Sequence, residues 1–149
     1  MIRDLGPYDE FNIVLFAGGS SRFAERSVQA SPEMIQKGIE FIEKERGSGS
    51  TELLPALKHA LQLQKSKGIS RSFVIATDGY VTVEKEAMDL IRDELGEANF
   101  FTFGIGTSVN RYLLEGLARV GKGEVFVLTS EQEAEFGAKR FRELISSPV

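Results

Sequence analysis

Phe73-Val-Ile-Ala-Thr-Asp78-Gly79 is an apolar run that ends in a carboxylate and a turn glycine. A short run that is apolar at consecutive positions suits a strand covered on both faces, as in a parallel sheet flanked by helices. Ligands of such sheets bind beyond the carboxyl ends of the strands, and Asp78 and Gly79 fall at that rim. Upstream, Gly47-Ser-Gly-Ser50-Thr51-Glu-Leu53 is a small-residue loop that delivers hydroxyls just before a helix. In an α/β domain both segments sit at the same rim. A hard cation such as Mg²⁺ can use one hydroxyl and one carboxylate there. Spacing alone favours a plainer reading, with Ser50 or Thr51 capping the helix and Asp78-Gly79 forming a turn.

The remaining pattern supports the α/β class, because apolar runs alternate with segments of helical period. Phe11-Asn-Ile-Val-Leu-Phe16 reads as the first strong strand, and Ser27 to Ala30 as a brief edge strand. Ser31-Pro32-Glu33 opens a helix, with a capping hydroxyl and proline at the first helical position, and Ile35, Ile39 and Ile42 facing inward. The next helix follows Thr51 with Leu54, Leu57 and Leu61 on one side. After the strand Arg71 to Thr77 come a helix from Thr82 to Leu95 stopped by Gly96 and a strand from Asn99 to Ile105. A helix from Val109 to Val120, ended by glycine, and a strand from Glu124 to Leu128 follow. Ser130-Glu-Gln-Glu133 is a capping box for a last helix that carries Phe141 and Ile145. Residues 1–149 are expected to form one domain, since no repeat, linker or low-complexity tract interrupts them.

Composition removes several functions. The 18 basic and 22 acidic residues give a net charge of −4 with no basic block, which argues against nucleic acid or an anionic membrane surface as partner. There is no apolar run of membrane length and no N-terminal signal segment. Without cysteine there is no disulfide, thiolate–zinc site or thiol catalysis, and His59, the single histidine, cannot build a histidine cluster. His59 lies off the leucine stripe of its helix and reads as a surface residue with no nucleophile beside it. Gly104-Ile-Gly106-Thr107-Ser108 lacks the third glycine of a dinucleotide loop, and the Gly47 loop lacks the lysine of a P-loop. The Phe100, Phe101 and Phe103 cluster reads as core.

Taken in order, Gly47-Ser-Gly-Ser-Thr51-Glu-Leu-Leu-Pro-Ala-Leu57, Val74-Ile-Ala-Thr-Asp78-Gly79, Phe103-Gly-Ile-Gly106 and Asn110-Arg-Tyr-Leu-Leu-Glu-Gly-Leu-Ala118 resemble the landmarks of a von Willebrand factor A domain. With Gly6-Pro-Tyr-Asp-Glu-Phe-Asn-Ile-Val-Leu-Phe16 the resemblance covers nearly the whole chain. In flavour it is closest to the inter-α-trypsin inhibitor heavy chains and their bacterial relatives. It implies a doubly wound, Rossmann-like α/β fold with a mostly parallel sheet and helices on both faces. It also implies a non-catalytic, adhesion-type protein-binding module. In the complete domain Mg²⁺ would be held partly by Thr51 and Asp78 and would meet an acidic side chain of a protein partner. Ser50, Gly79, Gly106 and Thr107 would shape the rim.

The resemblance also implies Asp-x-Ser-x-Ser at the end of the family's first strand, and no aspartate here has serine at both positions: Asp4, Asp9, Asp78, Asp89 and Asp93 all fail. The expectation is therefore a domain that begins after its first, central strand, with a partial metal site and weak or absent Mg²⁺ binding. Two strand edges would then be left open. Unpaired buried backbone groups cost about 1–3 kcal/mol each, so the gap is expected to close by direct pairing of the Phe11 and Phe73 strands, by a strand-completing partner or by a homodimer. Two rivals stand beside this reading: a phosphatase-like enzyme using Asp78 on a metal, and a metal-free assembly domain.

Overall fold

A computed structural model describes residues 2–16, 21–45, 53–64, 67–78 and 84–146. The chain divides into two compact units, Met1–Ile69 and Ser70–Val149.

In the first unit a short 3₁₀ turn, Ile2–Asp4, leads into β1 (Glu10–Phe11) and β2 (Val14–Leu15), followed by β3 (Ser21–Arg22) and β4 (Val28–Gln29). β1 pairs antiparallel with β4 and β2 with β3, so the Phe11–Phe16 segment is the outgoing arm of a hairpin and not one continuous strand. The break between the ladders is stitched by one side chain. Asn12 Oδ1 accepts from the Ile13 and Ala24 N–H groups at 2.9 and 3.1 Å, and its Nδ2 donates to the Ala24 carbonyl at 2.8 Å. The expected edge strand at Ser27–Ala30 is present as β4.

Helix α1 (Pro32–Lys44) starts as its sequence dictates: Ser31 Oγ accepts from Met34 N–H at 3.2 Å, with Pro32 in the first turn. Of the expected isoleucine stripe, Ile35 and Ile39 are half-buried and Ile42 falls outside the inward face. Gly38 is buried, an added Cβ there coming within 3.0 Å of the Phe11 ring, whereas Ile42 is 40% exposed. Phe41 packs in its place against Phe23, which stacks on Phe11, with centroid distances of 5.6 and 5.8 Å. In α2 (Leu53–Gln62) the buried stripe is Leu53, Ala56 and Leu57, turned by about one position from the expected face: Leu57 belongs to both, while Leu54 and Leu61 are half-buried.

The second unit is a parallel sheet in the order β5 (Ser72–Thr77), β6 (Asn99–Ile105), β7 (Val125–Leu128), with α3 (Glu84–Glu94), α4 (Arg111–Val120) and α5 (Glu131–Ser146). Parallel neighbours point paired side chains to the same face, and the register sorts β6 into two sets. Phe101 and Phe103 face α5, where Phe141 meets them edge-on at 5.1 and 5.8 Å and Phe126 stacks on Phe103 at 4.7 Å. Thr102 and Gly104 face α4. Thr102 Oγ1, fully buried, donates to the Leu114 carbonyl at 3.0 Å. Gly116 of α4 leaves room for Met88 of α3, whose methyl group a Cβ would meet.

Local signals set the boundaries. Gly96, at φ +64°, ends the α3 segment in the left-handed conformation. The glycine expected to end α4 is its C-cap, Gly121, but the left-handed residue of that turn is Lys122, at φ +55°. β5 departs from the expectation of a strand covered on both faces: Ile75 is buried, while Val74 is 40% exposed and Ala76 is exposed. Among the described residues it pairs in this sheet with β6 alone.

Candidate functional site

The C-terminal rim of the β5–β6–β7 sheet is built by three short connections. β5 and β6 run in register to Thr77↔Gly104, so Asp78 and Ile105 occupy the next step, where the ladder has ended. Asp78 is exposed there. Beyond Ile105 the chain turns through Gly106, whose φ of +91° a side chain would strain and whose N–H donates to the Leu128 carbonyl at 2.8 Å. Thr107 and Ser108 follow as exposed hydroxyls, Val109 turns inward, and buried Asn110 caps α4 by accepting from Leu113 N–H at 3.1 Å. Gly104 fixes the helix start against the strand end. A Cβ on it would stand 2.7 Å from Leu114 Cδ1 and 3.0 Å from Val109 Cγ2, a closeness that only glycine permits.

Of the site residues expected from sequence, Asp78, Gly106 and Thr107 therefore share one rim. Ser50, Thr51 and Gly79 lie outside the described residues. Beside the ends of β5 and β6 the described oxygen donors are the Asp78 carboxylate and the neutral hydroxyls of Thr107 and Ser108, while the Glu133 carboxylate at the end of β7 is taken up by Thr129. Among the described residues no group of three or more His, Cys, Asp or Glu side chains stands where it could hold a metal ion. Mg²⁺ demands a near-octahedral set of oxygens, and these donors by themselves do not fit it. His59 is exposed on α2.

Sequence reasoning placed Ile105 in a strand and Tyr112 in a helix, without a role for either. Both are exposed at this rim, at 49% and 68%. The available signal was phase: Tyr112 precedes the buried pair Leu113 and Leu114 and falls outside the stripe they make with Leu117.

The sequence matches the family of von Willebrand factor type A domains over residues 1–140. A von Willebrand factor A domain-containing protein of Dictyostelium discoideum is 30% identical over 135 residues, covering 89% of this chain and 14% of that protein. Mouse inter-alpha-trypsin inhibitor heavy chain 4 is 25% identical over 163 residues, covering all of this chain and 17% of that protein. The chain thus spans about one-seventh of the length of the first relative and little more of the second. Among solved structures, a von Willebrand factor type A protein from Catenulispora acidiphila superposes with a TM-score of 0.80 at 19% identity, over 97% of this chain and 34% of that one. Proximal thread matrix protein 1 of the mussel byssus, with a zinc-occupied MIDAS motif, superposes at 0.66 and 18% identity, over 97% of this chain and 36% of that one. The parallel sheet ending in Asp78, the glycine-turned loop after β6 and the match along nearly the whole sequence lead to one conclusion: this chain belongs to the von Willebrand factor type A domain family.

Proposed function

We propose that the chain is a non-catalytic protein-interaction module that binds its partner at the C-terminal rim of the β5–β6–β7 sheet. One observation carries the reading: Asp78 is exposed at the step where the β5–β6 ladder ends, beside the Gly106–Thr107 loop. Membership of the family supports it, as does the fold neighbour from mussel byssus whose MIDAS motif holds zinc. In this proposal Asp78 donates oxygen to a weakly held divalent cation, Gly106 and Thr107 frame the rim beside it, and the partner presents an acidic side chain.

Manganese titration of the isotopically labelled chain, followed by amide NMR, tests this. Paramagnetic broadening is expected to centre on Asp78, Gly106 and Thr107, with half-saturation on the order of 10⁻⁴–10⁻³ M, the range of sites with few charged ligands. Asp78→Asn is expected to remove it. Broadening centred elsewhere, or none, overturns the metal-assisted rim. Hydrolysis of p-nitrophenyl phosphate that needs Mg²⁺ and is lost in Asp78→Asn would replace the module with an enzyme.

A further inference from the structure

β7 is the edge strand farthest from Asp78, and among the described residues it pairs in this sheet with β6 alone. The Thr102 and Gly106 N–H groups donate to the Glu124 and Leu128 carbonyls at 3.1 and 2.8 Å. Alternate residues of a parallel ladder turn both backbone groups to the same neighbour, so Glu124, Phe126 and Leu128 face β6. Val125 and Val127 therefore direct their N–H and C=O groups to the open side of β7. Their side chains lie on the α4 face of the sheet, since Val125 pairs with Thr102 and Val127 with Gly104.

That open side carries a groove of about 480 Å³, lined by Glu115, Ala118 and Arg119 of α4 and by Gly123, Glu124 and Val125 at the start of β7. Its floor is apolar, with Ala118 buried and Val125 half-buried. Its α4 wall is charged. Glu124 is taken up by Arg140, 3.5 Å away, whereas among the described residues Glu115 and Arg119 stand in no ion pair. α4 begins beyond the Gly106 loop and ends at Gly121, whose carbonyl accepts from Phe100 N–H at 2.9 Å. It thus runs against the strands, with Glu115 nearer the C-terminal rim and Arg119 nearer the start of β7. Four helical residues advance about 6 Å and two strand residues about 6.8 Å. Alternate side chains of an extended segment laid along β7 match the spacing of these two charges.

We infer that the open side of β7 accepts an extended protein segment as an added antiparallel strand, in which a basic residue is followed two positions later by an acidic one. Val125 and Val127 supply its backbone bonds. The basic side chain meets Glu115 and the acidic one Arg119, in the order that the antiparallel direction dictates. Antiparallel edge strands are common on otherwise parallel sheets, and their ladders are slightly the more stable per residue. Strand addition draws affinity from main-chain bonds and selectivity from side chains seated beside the edge. This surface is additional to the rim at Asp78, which lies two strands away.

The test is a selection of random peptides from a display library on the full 149-residue chain, followed by affinity measurements on variants. Val127→Pro deletes one outward N–H and spares the bonds to β6, a position where edge strands tolerate proline. Glu115→Arg combined with Arg119→Glu reverses the charged wall on the exposed side of α4. The expected peptides carry Lys or Arg two residues before Asp or Glu, bind roughly tenfold more weakly to Val127→Pro, and keep their affinity for Asp78→Asn. The charge-reversed chain is expected to prefer the same peptides with the two charges exchanged. If Val127→Pro loses the amide protection of β6, the charge-reversed chain alone decides. Peptides without this order of charges, peptides that bind every variant alike, or no enrichment overturn the inference. Loss on Asp78→Asn alone assigns the peptides to the rim and overturns the edge site while leaving the rim in place. A dimer seen by light scattering and dissolved by Val127→Pro gives the edge to a second copy and likewise overturns the inference.

Discussion

Glu133 anchors the start of α5 from a fully exposed position. Its Oε2 accepts from the Thr129 N–H at 2.6 Å and the Thr129 hydroxyl at 2.8 Å, while its own N–H donates to Ser130 Oγ at 3.2 Å. The capping box read from Ser130 and Glu133 is thus present, with Thr129 as the main recipient of the carboxylate's reach. The Thr129 backbone bond first and its hydroxyl second, with a further bond from the Ser130 N–H, hold the Glu133 carboxyl below its ordinary value of 4.5. A depressed carboxyl stabilises the fold above its unfolded value and loses that contribution as pH falls through the folded one. Glu133→Gln is therefore expected to melt below the native chain at neutral pH and to converge with it as pH falls below 4.5 and the folded carboxyl is protonated. Circular dichroism melts across that range check this, and a constant offset at all pH values would refute it. Caps of this kind are legible in sequence because donor and acceptor are a few residues apart, as at Ser31 and Met34. Asn12 was not legible: its role depends on Ala24, which only the folded hairpin brings opposite.

At the level of elements, β6 was readable to its ends because every interior residue is buried, on one face or the other. The Phe11–Phe16 run has a similar string of apolar letters and a different fate. A strand's direction of pairing is set by its partner, and here the partner is the nearby return arm through Ser21 and Gln29. Sequence likewise could not tell that Val74 and Ala76 face outward, since a uniformly apolar run carries no alternation to show which face is covered. The rim was half legible. Asp78 and Gly106 announce themselves by residue type, whereas the exposure of Ile105 and Tyr112 follows from helix phase and from where the ladder stops. The contact that locks β6 to α4 invites a test. Gly104→Ala would push a methyl into Leu114, itself 1% exposed, and into Val109. Overpacking of this kind costs about 1–3 kcal/mol. At roughly 2–4 °C per kcal/mol for a chain of this size, the melting midpoint is expected to drop by several degrees. The amide signals of Thr107 to Leu114 should shift with it; an unchanged midpoint would show that α4 is free to move away.

Across the whole molecule, ordered structure is distributed unequally between the units. The hairpin of the first unit rests on ladders of two residues each, joined by the Asn12 side chain, so few backbone bonds must break to expose its amides. The second unit has a central strand laddered on both sides, with Phe100, Phe101, Thr102 and Phe103 at 5% exposure or less and helices on both faces of that strand. Opening free energies in native proteins run from near zero in weakly bonded segments to the global value in core strands. Amide hydrogen exchange should therefore be slowest from Phe100 to Gly104 and much faster from Glu10 to Gln29, with β5 slower where it bonds β6 than its exposed Val74 and Ala76 side chains would suggest. The hairpin's order would then rest chiefly on the stacked Phe11, Phe23 and Phe41 rings, and Phe23→Ala should raise exchange in residues 10–29 while leaving β6 protection in place. If Phe23→Ala instead accelerated exchange at Phe100–Gly104 to the same degree, the two units would open as a single cooperative body and this unequal distribution would be wrong.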